Sequence, residues 1–282
     1  MNKKWIALDI DGTITNDKYS VPDEVISYLK SLHNSGYNII VLTGRSYSFA
    51  CKTLSTFDFP YYFSLQNGSV MLEMPSEKIL FKNYLHKEAI PLVEKAYQGV
   101  EGDFVVYSGI ENQDYCYWRA GNFPEDQMEY IKELISREKG KWKQVDSFDE
   151  IDFDIPLIKC IGYKDTMVLL AEKVKKLTSF DFSIIKDPFF REFYLLMITN
   201  EKVNKGFAVK QLTNLIGKGE IIAAGNDAND ISLLDVADIK IAMADAPLFL
   251  QKKADIIAPL AIDKGIIPAL KQAIRISSRN IT

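Results

Sequence analysis

The chain has 282 residues, 47% hydrophobic and 12% aromatic, so it is long and apolar enough to bury one large core or two smaller ones. Its formal net charge is only −4 and no run of basic residues stands out, which argues against nucleic acid as a main partner. No apolar stretch approaches the roughly 20 residues of a membrane-spanning helix, so we expect no membrane partner either.

The cysteines and histidines exclude two further classes of site. Cys51, Cys116 and Cys160 lie far apart and form no C-x-x-C pair, which is typical of a reduced cytoplasmic protein. The only histidines are His33 and His86, each isolated in the sequence. Too few histidines and cysteines are present to favour a zinc cluster or a Ser-His-Asp triad. We expect a cytoplasmic protein that uses a different chemistry.

The first eighty residues have a β-α-β-α-β pattern. Strands are predicted at 5–10, 38–42 and 62–65, and helices at 22–35 and 46–57. Short apolar strands separated by helices indicate a parallel sheet that is covered on both faces.

The middle of the chain has a different pattern. Helices are predicted at 85–98, 125–138 and 166–177. They alternate with paired strand candidates at 103–107, 115–118, 157–163 and 182–185. The segment 193–198 either completes this sheet or leads back to the first one. We expect an α+β insert with antiparallel strands packed on helices.

The last part of the chain returns to the first pattern, with a helix predicted at 205–216 and strands at 220–224, 239–243 and 255–257. The predicted fold class is α/β: a doubly wound, Rossmann-like parallel sheet core with an inserted α+β cap domain. The core would comprise residues 1–82 and 193–282, and the cap residues 83–192. Polar residues gather just beyond the carboxyl ends of the core strands, where open parallel sheets bind ligands.

The first strand ends in a pair of acids, Asp9 and Asp11. Their spacing places both carboxylates on the same side of the strand. Burying two like charges there is costly unless a cation or a shared proton relieves the repulsion. Gly12 and Thr13 then supply a turn whose exposed backbone N–H groups suit an anion. The segment therefore indicates a divalent metal beside a phosphate.

Four polar motifs follow one another along the chain: D-x-D-G-T at 9–13, L-T-G-R at 42–45, N-K-G at 204–206 and G-N-D-A-N-D at 225–230. In this order they resemble the motifs of the haloacid dehalogenase (HAD) superfamily. The insert lies between the second and third motifs, which resembles the type IIB capped branch, the Cof-like phosphatases. The resemblance covers nearly the whole chain.

The resemblance implies a phosphoric monoester hydrolase that forms a phospho-aspartate and uses Mg²⁺, a cation that prefers oxygen ligands. Asp9 matches the nucleophile of the family, and Asp11 matches its general acid and base. Thr43 matches the hydroxyl that holds the transferred phosphoryl group, and Lys205 matches the cation that neutralises developing charge. These four residues are the predicted catalytic set.

The predicted phosphate site is larger than the catalytic set. The residues expected to bind the substrate or its phosphate are Gly12, Thr43, Gly44, Arg45, Asn67, Lys205 and Asn229. Two of them have alternative interpretations. Arg45 binds the phosphate or pairs with an acid at the sheet edge, and Asn67 contacts substrate or simply forms a turn with the glycine that follows it.

The predicted metal ligands are Asp9, Asp11, Asn226, Asp227 and Asp230. The family commonly has an aspartate where Asn226 stands. Either the Asn226 amide oxygen is the ligand, or the loop shifts to present Asp227. Asp230 occupies a family position that binds the metal directly or through water.

Taken together, these motifs predict a Mg²⁺-dependent phosphatase for small phosphorylated metabolites, with sugar phosphates as the leading substrate class. Two alternatives remain open on the sequence. One is a phosphosugar mutase similar to phosphomannomutase, and the other is a catalytically silent protein that binds a phosphorylated ligand. We expect a monomer or a homodimer.

Overall fold

The computed structural model describes residues 3–138, 140–187, 190 and 192–279. The strands, in chain order, are β1 (Lys3–Asp9), β2 (Tyr37–Leu42), β3 (Tyr61–Leu65), β4 (Val70–Met74), β5 (Lys78–Lys82), β6 (Phe104–Tyr107), β7 (Cys116–Trp118), β8 (Trp142–Gln144), β9 (Leu157–Gly162), β10 (Asp181–Lys186), β11 (Tyr194–Thr199), β12 (Gly219–Gly225), β13 (Ile239–Met243) and β14 (Ile256–Ala258). The α-helices are α1 (Asp23–Asn34), α2 (Tyr47–Thr53), α3 (Ala89–Tyr97), α4 (Glu125–Arg137), α5 (Lys164–Leu177), α6 (Lys205–Ile216), α7 (Ile231–Asp235), α8 (Leu248–Gln251) and α9 (Ile266–Arg279).

The first sheet has eight strands in the order β14-β13-β12-β1-β2-β3-β4-β5. The strands from β14 to β3 are parallel, and β4 and β5 add an antiparallel edge. Alternate side chains of β1 reach the two covered faces. Ile6 and Leu8 pack with residues of α1 and α9, whereas Trp5 and Ala7 pack with residues of α6 and α7. The predicted α/β fold, with a parallel sheet between helices, is confirmed.

The second sheet is formed by the insert between β5 and α6 and has the order β10-β11-β9-β6-β7-β8. Its pairs are antiparallel except for the parallel pair of β7 and β8. Phe104 and Ile158 face α3 and α5, while Val105 and Leu157 face α4. Because β11 pairs with β9 and β10, this sheet extends to Thr199, beyond the boundary that the sequence predicts at residue 192.

The topology brings the polar motifs to one edge of the first sheet. Leu8 of β1 is in register with Ala224 of β12, and Asp9 is in register with Leu42 of β2. The loops that follow these three parallel strands therefore lie side by side at their carboxyl ends, as expected for an open α/β sheet. None of the helices in the described part of the chain has the length and apolar character needed to cross a membrane.

Candidate active site

A buried ion-pair network lies at the carboxyl end of β1. The Lys205 Nζ donates to Asp9 Oδ1 at 2.5 Å and to Asp230 Oδ1 at 2.6 Å. Lys205 is the first residue of α6, whose first turn is fixed because the Asn204 side chain accepts a hydrogen bond from the Phe207 N–H. With Lys205 only 1% exposed and Asp9 5% exposed, water screens the pair very little.

The network perturbs the ionisation of its members. Burial raises the pKa of Asp9 to about 8, while the Lys205 ammonium acts in the opposite direction. Burial alone would lower the pKa of Lys205, but Asp230 and Asp9 together raise it above its ordinary value. The lysine therefore stays a cation next to Asp9, as a site for a phosphate dianion requires.

Asp230 organises the loop that follows β12. Its Oδ2 accepts the backbone N–H groups of Asn226 at 2.9 Å and Asp227 at 3.1 Å, while its Oδ1 is bonded to Lys205. The side chain is fully buried and does not line the cavity described below. Asp230 is predicted to bind the metal either directly or through water. Its position outside the cavity favours the contact through water.

Arg45 pairs with Asp11, which is one of its two predicted roles. The Arg45 Nε donates to Asp11 Oδ2 at 2.9 Å, and its Nη2 donates to Oδ1 at 2.5 Å. Its Nη1 donates to the Lys18 carbonyl at 2.9 Å and to the Thr53 hydroxyl at 2.5 Å. The guanidinium also lies 4.1 Å from the centroid of the Phe49 ring. Arg45 thus holds the Asp11 carboxylate in a fixed orientation.

The turn at Gly12 has a different role from the one that the sequence suggests. The Gly12 N–H donates to the Thr15 carbonyl and the Thr13 N–H donates to the Ile10 carbonyl, so neither is exposed to an anion as predicted. Gly12 has a φ of +72°, and a Cβ atom on it would lie 2.0 Å from Asn226 Nδ2. The glycine therefore allows the first and fourth motif loops to touch.

The loop after β2 presents hydrogen-bond donors. The Thr43 hydroxyl oxygen accepts the Arg45 N–H at 3.1 Å, which leaves the hydroxyl hydrogen for another acceptor. Gly44 lines the cavity, and within the described residues its N–H donates to no acceptor. Thr43 and Gly44 therefore offer two donors of the kind that a phosphate group accepts.

Asn67 and Asn229 are joined to each other. The Asn229 Nδ2 donates to Asn67 Oδ1 at 3.1 Å, and the Asn67 Nδ2 donates to the Ser183 hydroxyl at 3.1 Å. Asn229 lines the cavity that also contains Asp9, whereas Asn67 lines only a neighbouring one. The structure therefore places Asn67 behind Asn229, where it orients that side chain.

Asn226 and Asp227 both line the cavity that contains Asp9, so the structure leaves both as candidate metal ligands. The Asp227 side chain also caps the short turn that follows, accepting the Ala228 N–H at 2.6 Å. Burial raises the pKa of Asp227 to about 6, and Asp230 adds to the shift. Among the described residues, no three His, Cys, Asp or Glu side chains are grouped as a metal site.

Residues of the first sheet and its loops form one wall of an open cavity. Those that line it are Asp9, Asp11, Gly44, Arg45, Ser46, Phe49, Asn226, Asp227 and Asn229. The insert supplies the opposite wall. The insert residues that line it are Tyr107, Tyr130, Leu134, Arg137, Glu138, Trp142, Lys159, Ile185, Lys186, Asp187, Leu195 and Met197.

Two carboxylates of the insert bind the start of α2, immediately after the second motif. The Ser46 hydroxyl donates to Glu138 Oε2 at 2.6 Å. The backbone N–H groups of Tyr47 and Ser48 donate to the Asp114 carboxylate, at 3.3 and 2.6 Å. Sequence reasoning missed these residues because they are far apart in the chain and form no local motif.

Lys159 was also missed, although the sequence contains a signal for it. It lies in β9, between buried apolar residues, and its side chain lines the cavity. A charged residue at the centre of an otherwise apolar strand is unusual, because burial of an unpaired charge is costly.

Comparison with known proteins agrees with this geometry. The profile of the haloacid dehalogenase-like hydrolase family matches residues 6–270. The chain is 24% identical over 274 residues to a phosphoglycolate phosphatase of Methanobrevibacter smithii, covering 96% of this chain and 99% of that protein. It is 22% identical over 270 residues to the 5-amino-6-(5-phospho-D-ribitylamino)uracil phosphatase YcsE of Bacillus subtilis, covering 95% and 94%.

Solved structures share the fold at low sequence identity. SMU.1108c of Streptococcus mutans superposes with a TM-score of 0.80 and 20% identity, covering 97% of this chain and 100% of that one. The HAD subclass IIB sugar phosphatase BT4131 superposes with a TM-score of 0.77 and 18% identity, covering 96% and 98%. With its motifs at one sheet edge and a family match over most of its length, this chain belongs to the haloacid dehalogenase-like hydrolases.

Proposed function

We propose that this protein is a Mg²⁺-dependent phosphatase that hydrolyses small phosphorylated metabolites through a phospho-aspartate. The observation that carries the proposal is the buried Asp9–Lys205 pair, at the floor of a cavity that Asp11 and the Gly44 N–H also line. A nucleophile, an acid and donors for phosphate oxygens are then within one site. The names of the relatives given above, which are phosphatases, support this reaction class.

In the proposed first step, an Asp9 oxygen attacks phosphorus and the bond to the leaving oxygen breaks. Asp11 gives its proton to that leaving oxygen, which departs as an alcohol. In the second step, Asp11 takes a proton from water, and the resulting hydroxide attacks the phospho-aspartate to release phosphate and restore Asp9. Lys205, Thr43 and the Gly44 N–H would hold the phosphoryl oxygens, because positioning and charge relief dominate phosphoryl transfer.

The donor set suits a hard divalent cation. Asp9, Asn226 and Asp227 contribute two carboxylates and one amide oxygen to the same cavity wall. Mg²⁺ is typically held by one or two protein carboxylates, with water and substrate phosphate completing its shell, so no larger cluster is required. When bound, the cation would neutralise charge between the nucleophile and the phosphate. We propose these three side chains, with the backbone carbonyl of Asp11, as the ligands, because the Asp11 carboxylate is already bound by Arg45.

Sugar phosphates are the proposed substrate class. The partly apolar walls supplied by the insert enclose a space suited to a small metabolite. A structural relative is named as a sugar phosphatase, and the sequence relative YcsE is named for a phosphorylated ribityl compound. The insert between β5 and α6, proposed to act as a cap, would exclude water and large substrates.

The decisive test is Asp9→Asn, with the exposed Asp263→Asn as a matched control. Release of inorganic phosphate from para-nitrophenyl phosphate should need Mg²⁺, stop with a chelator and return when Mg²⁺ is added. We expect Asp9→Asn to lose on the order of 10⁴-fold or more in kcat, since a nucleophile is removed. Asp263→Asn should keep wild-type activity.

Three results would contradict the proposal. Wild-type activity in Asp9→Asn would remove this residue from its role. Interconversion of hexose phosphates without phosphate release would indicate a mutase. Tight binding of a phosphorylated metabolite without any turnover would indicate a silent ligand-binding protein.

A further inference from the structure

A lysine interrupts the apolar face of the second sheet. Lys159 lies in β9, and Leu157 and Ile161 precede and follow it on the same face of the strand. Its register partners on the neighbouring strands are Val105 and Met197, which belong to the same hydrophobic cluster. Nothing in strand packing requires a cation there, because this face otherwise packs as an apolar surface.

The Lys159 ammonium is poorly neutralised. Its Nζ donates to the Tyr107 hydroxyl at 2.7 Å. No carboxylate among the described residues forms an ion pair with it. An ammonium has three donors, so two are left for other groups, and burial lowers the pKa of this lysine. A half-buried cation without a direct counterion is unfavourable, and an incoming anion would relieve this cost.

The acidic residues of the insert wall have other partners. Glu138 accepts the Ser46 hydroxyl at 2.6 Å, and Asp187 accepts the Tyr130 hydroxyl at 2.5 Å. Both influence Lys159 through space, as does the cationic Arg137. They moderate the local charge without contacting the ammonium.

Lys159 also faces the proposed reaction centre. It lines the same cavity as Asp9 and Gly44, on the opposite wall. Met197, its partner on β11, packs on the catalytic side: a Cβ atom on Gly44 would lie 2.4 Å from the Met197 Cε. The strand next to Lys159 therefore touches the loop that would hold the phosphate, which places the lysine within the span of a small substrate.

We propose that Lys159 binds an anionic group of the substrate other than the phosphate that is transferred. The substrate is then a phosphate monoester that also carries a carboxylate or a second phosphate, and Lys159 determines this specificity. The inference rests on the proposed phosphatase function and narrows its substrate class. An ammonium paired with an anion in a partly desolvated site gives a strong charge-assisted hydrogen bond.

The test compares two substrates of nearly equal shape, 3-phosphoglycerate and glycerol 3-phosphate, which differ by a carboxylate in place of a hydroxymethyl group. We expect wild-type kcat/KM to favour the carboxylate by roughly 10- to 100-fold, the range of a hydrogen bond to a charged group. Lys159→Met should abolish the preference by lowering only the 3-phosphoglycerate value, and Lys159→Arg should retain much of it. Lys143→Met, an exposed lysine of the same sheet outside the cavity, is the control and should keep the wild-type ratio.

A second pair, fructose 1,6-bisphosphate and fructose 6-phosphate, distinguishes a second phosphate from a carboxylate as the recognised group. A preference in either pair that depends on Lys159 supports the inference. It is overturned if the wild type prefers neither anionic substrate, or if Lys159→Met leaves the preference unchanged. In both cases hydrolysis of para-nitrophenyl phosphate would leave the phosphatase proposal intact. Absence of hydrolysis of every ester would refute both proposals.

Discussion

At the scale of single residues, Arg45 shows how one side chain can position another. Its planar guanidinium places two N–H groups against the two oxygens of Asp11 and uses a third nitrogen to reach Lys18 and Thr53. A lysine carries the same charge but cannot match this fork, since its ammonium is a single point of attachment. Arg45 is therefore a positioning residue for the proposed general acid.

Arg45→Lys should lower kcat by roughly 10- to 100-fold. The loss of the bidentate hydrogen bonds would leave Asp11 less well oriented and raise the activation free energy by about 1.5–3 kcal/mol. The substrate KM should change less, since Arg45 is committed to Asp11 rather than to the phosphate. Steady-state kinetics with para-nitrophenyl phosphate would measure both constants. Arg275→Lys, an exposed substitution on α9, is the control. An unchanged kcat in Arg45→Lys would show that Asp11 does not need this partner.

The sequence could predict which residues meet, but not which atoms bond. Asp9 and Lys205 were expected in one site because their motifs follow strand ends and match a known family. The choice of Arg45 between phosphate and Asp11 depends on side-chain rotamers across two loops, which no local pattern encodes. Lys159 was missed, although a lysine inside an apolar strand is an unusual feature, because its role cannot be identified until the opposite wall of the cavity is known.

At the scale of elements, the loops after β1 and β12 need an unusually close approach. Gly12 has a left-handed backbone conformation, and the Asn226 side chain occupies the place where a Cβ atom would lie. Any Cβ atom there must displace that side chain, which is a candidate metal ligand. The conformational need and the steric need for glycine thus coincide at one position.

Gly12→Ala should reduce Mg²⁺-dependent turnover strongly, whereas Gly36→Ala should not. Gly36 also has positive φ, but a Cβ atom on it would meet nothing within 4 Å. Both variants should lose about 1 kcal/mol of stability from the left-handed backbone, so their difference in activity isolates the contact with Asn226. Urea unfolding and the Mg²⁺ concentration for half-maximal activity would measure the two effects. Equal activities would contradict this role of Gly12.

The elements themselves were predicted unevenly, for physical reasons. The bounds of α6 and β13 agree with the sequence patterns, because each has a complete apolar signal and a clear start or stop. The hairpin of β4 and β5 and the short β8 were not predicted. The residues of β5 and β8 are only partly buried or exposed, so hydrophobic alternation is weak there.

At the scale of the whole molecule, the insert is fastened to the first sheet by its buried carboxylates Asp114 and Glu138. Both bind the start of α2, and burial raises the pKa of each. A raised pKa means that the folded protein retains a proton over a pH range in which the unfolded chain has lost it. The free energy of unfolding must then fall as the pH rises through that range.

Glu138→Gln should remove this part of the pH dependence. Gln keeps an oxygen that can accept the Ser46 hydroxyl but has no proton to lose. Relative to wild type, the variant should gain stability as the pH rises above the ordinary pKa of a glutamate, about 4.3. Urea unfolding at several pH values would measure the difference, with the exposed Glu129→Gln as control. A difference that does not vary with pH would contradict the prediction.

The way in which the chain leaves the insert has a mechanical consequence. Only residues 200–204 separate the end of β11 from Lys205 at the start of α6, and Asn200 donates to the Tyr84 carbonyl on the incoming segment at 2.8 Å. This hydrogen bond ties the two connections between the insert and the first sheet to each other. Because the outgoing connection ends at Lys205, whose ammonium is bonded to Asp9, any displacement of the insert relative to the first sheet would be transmitted to this ion pair.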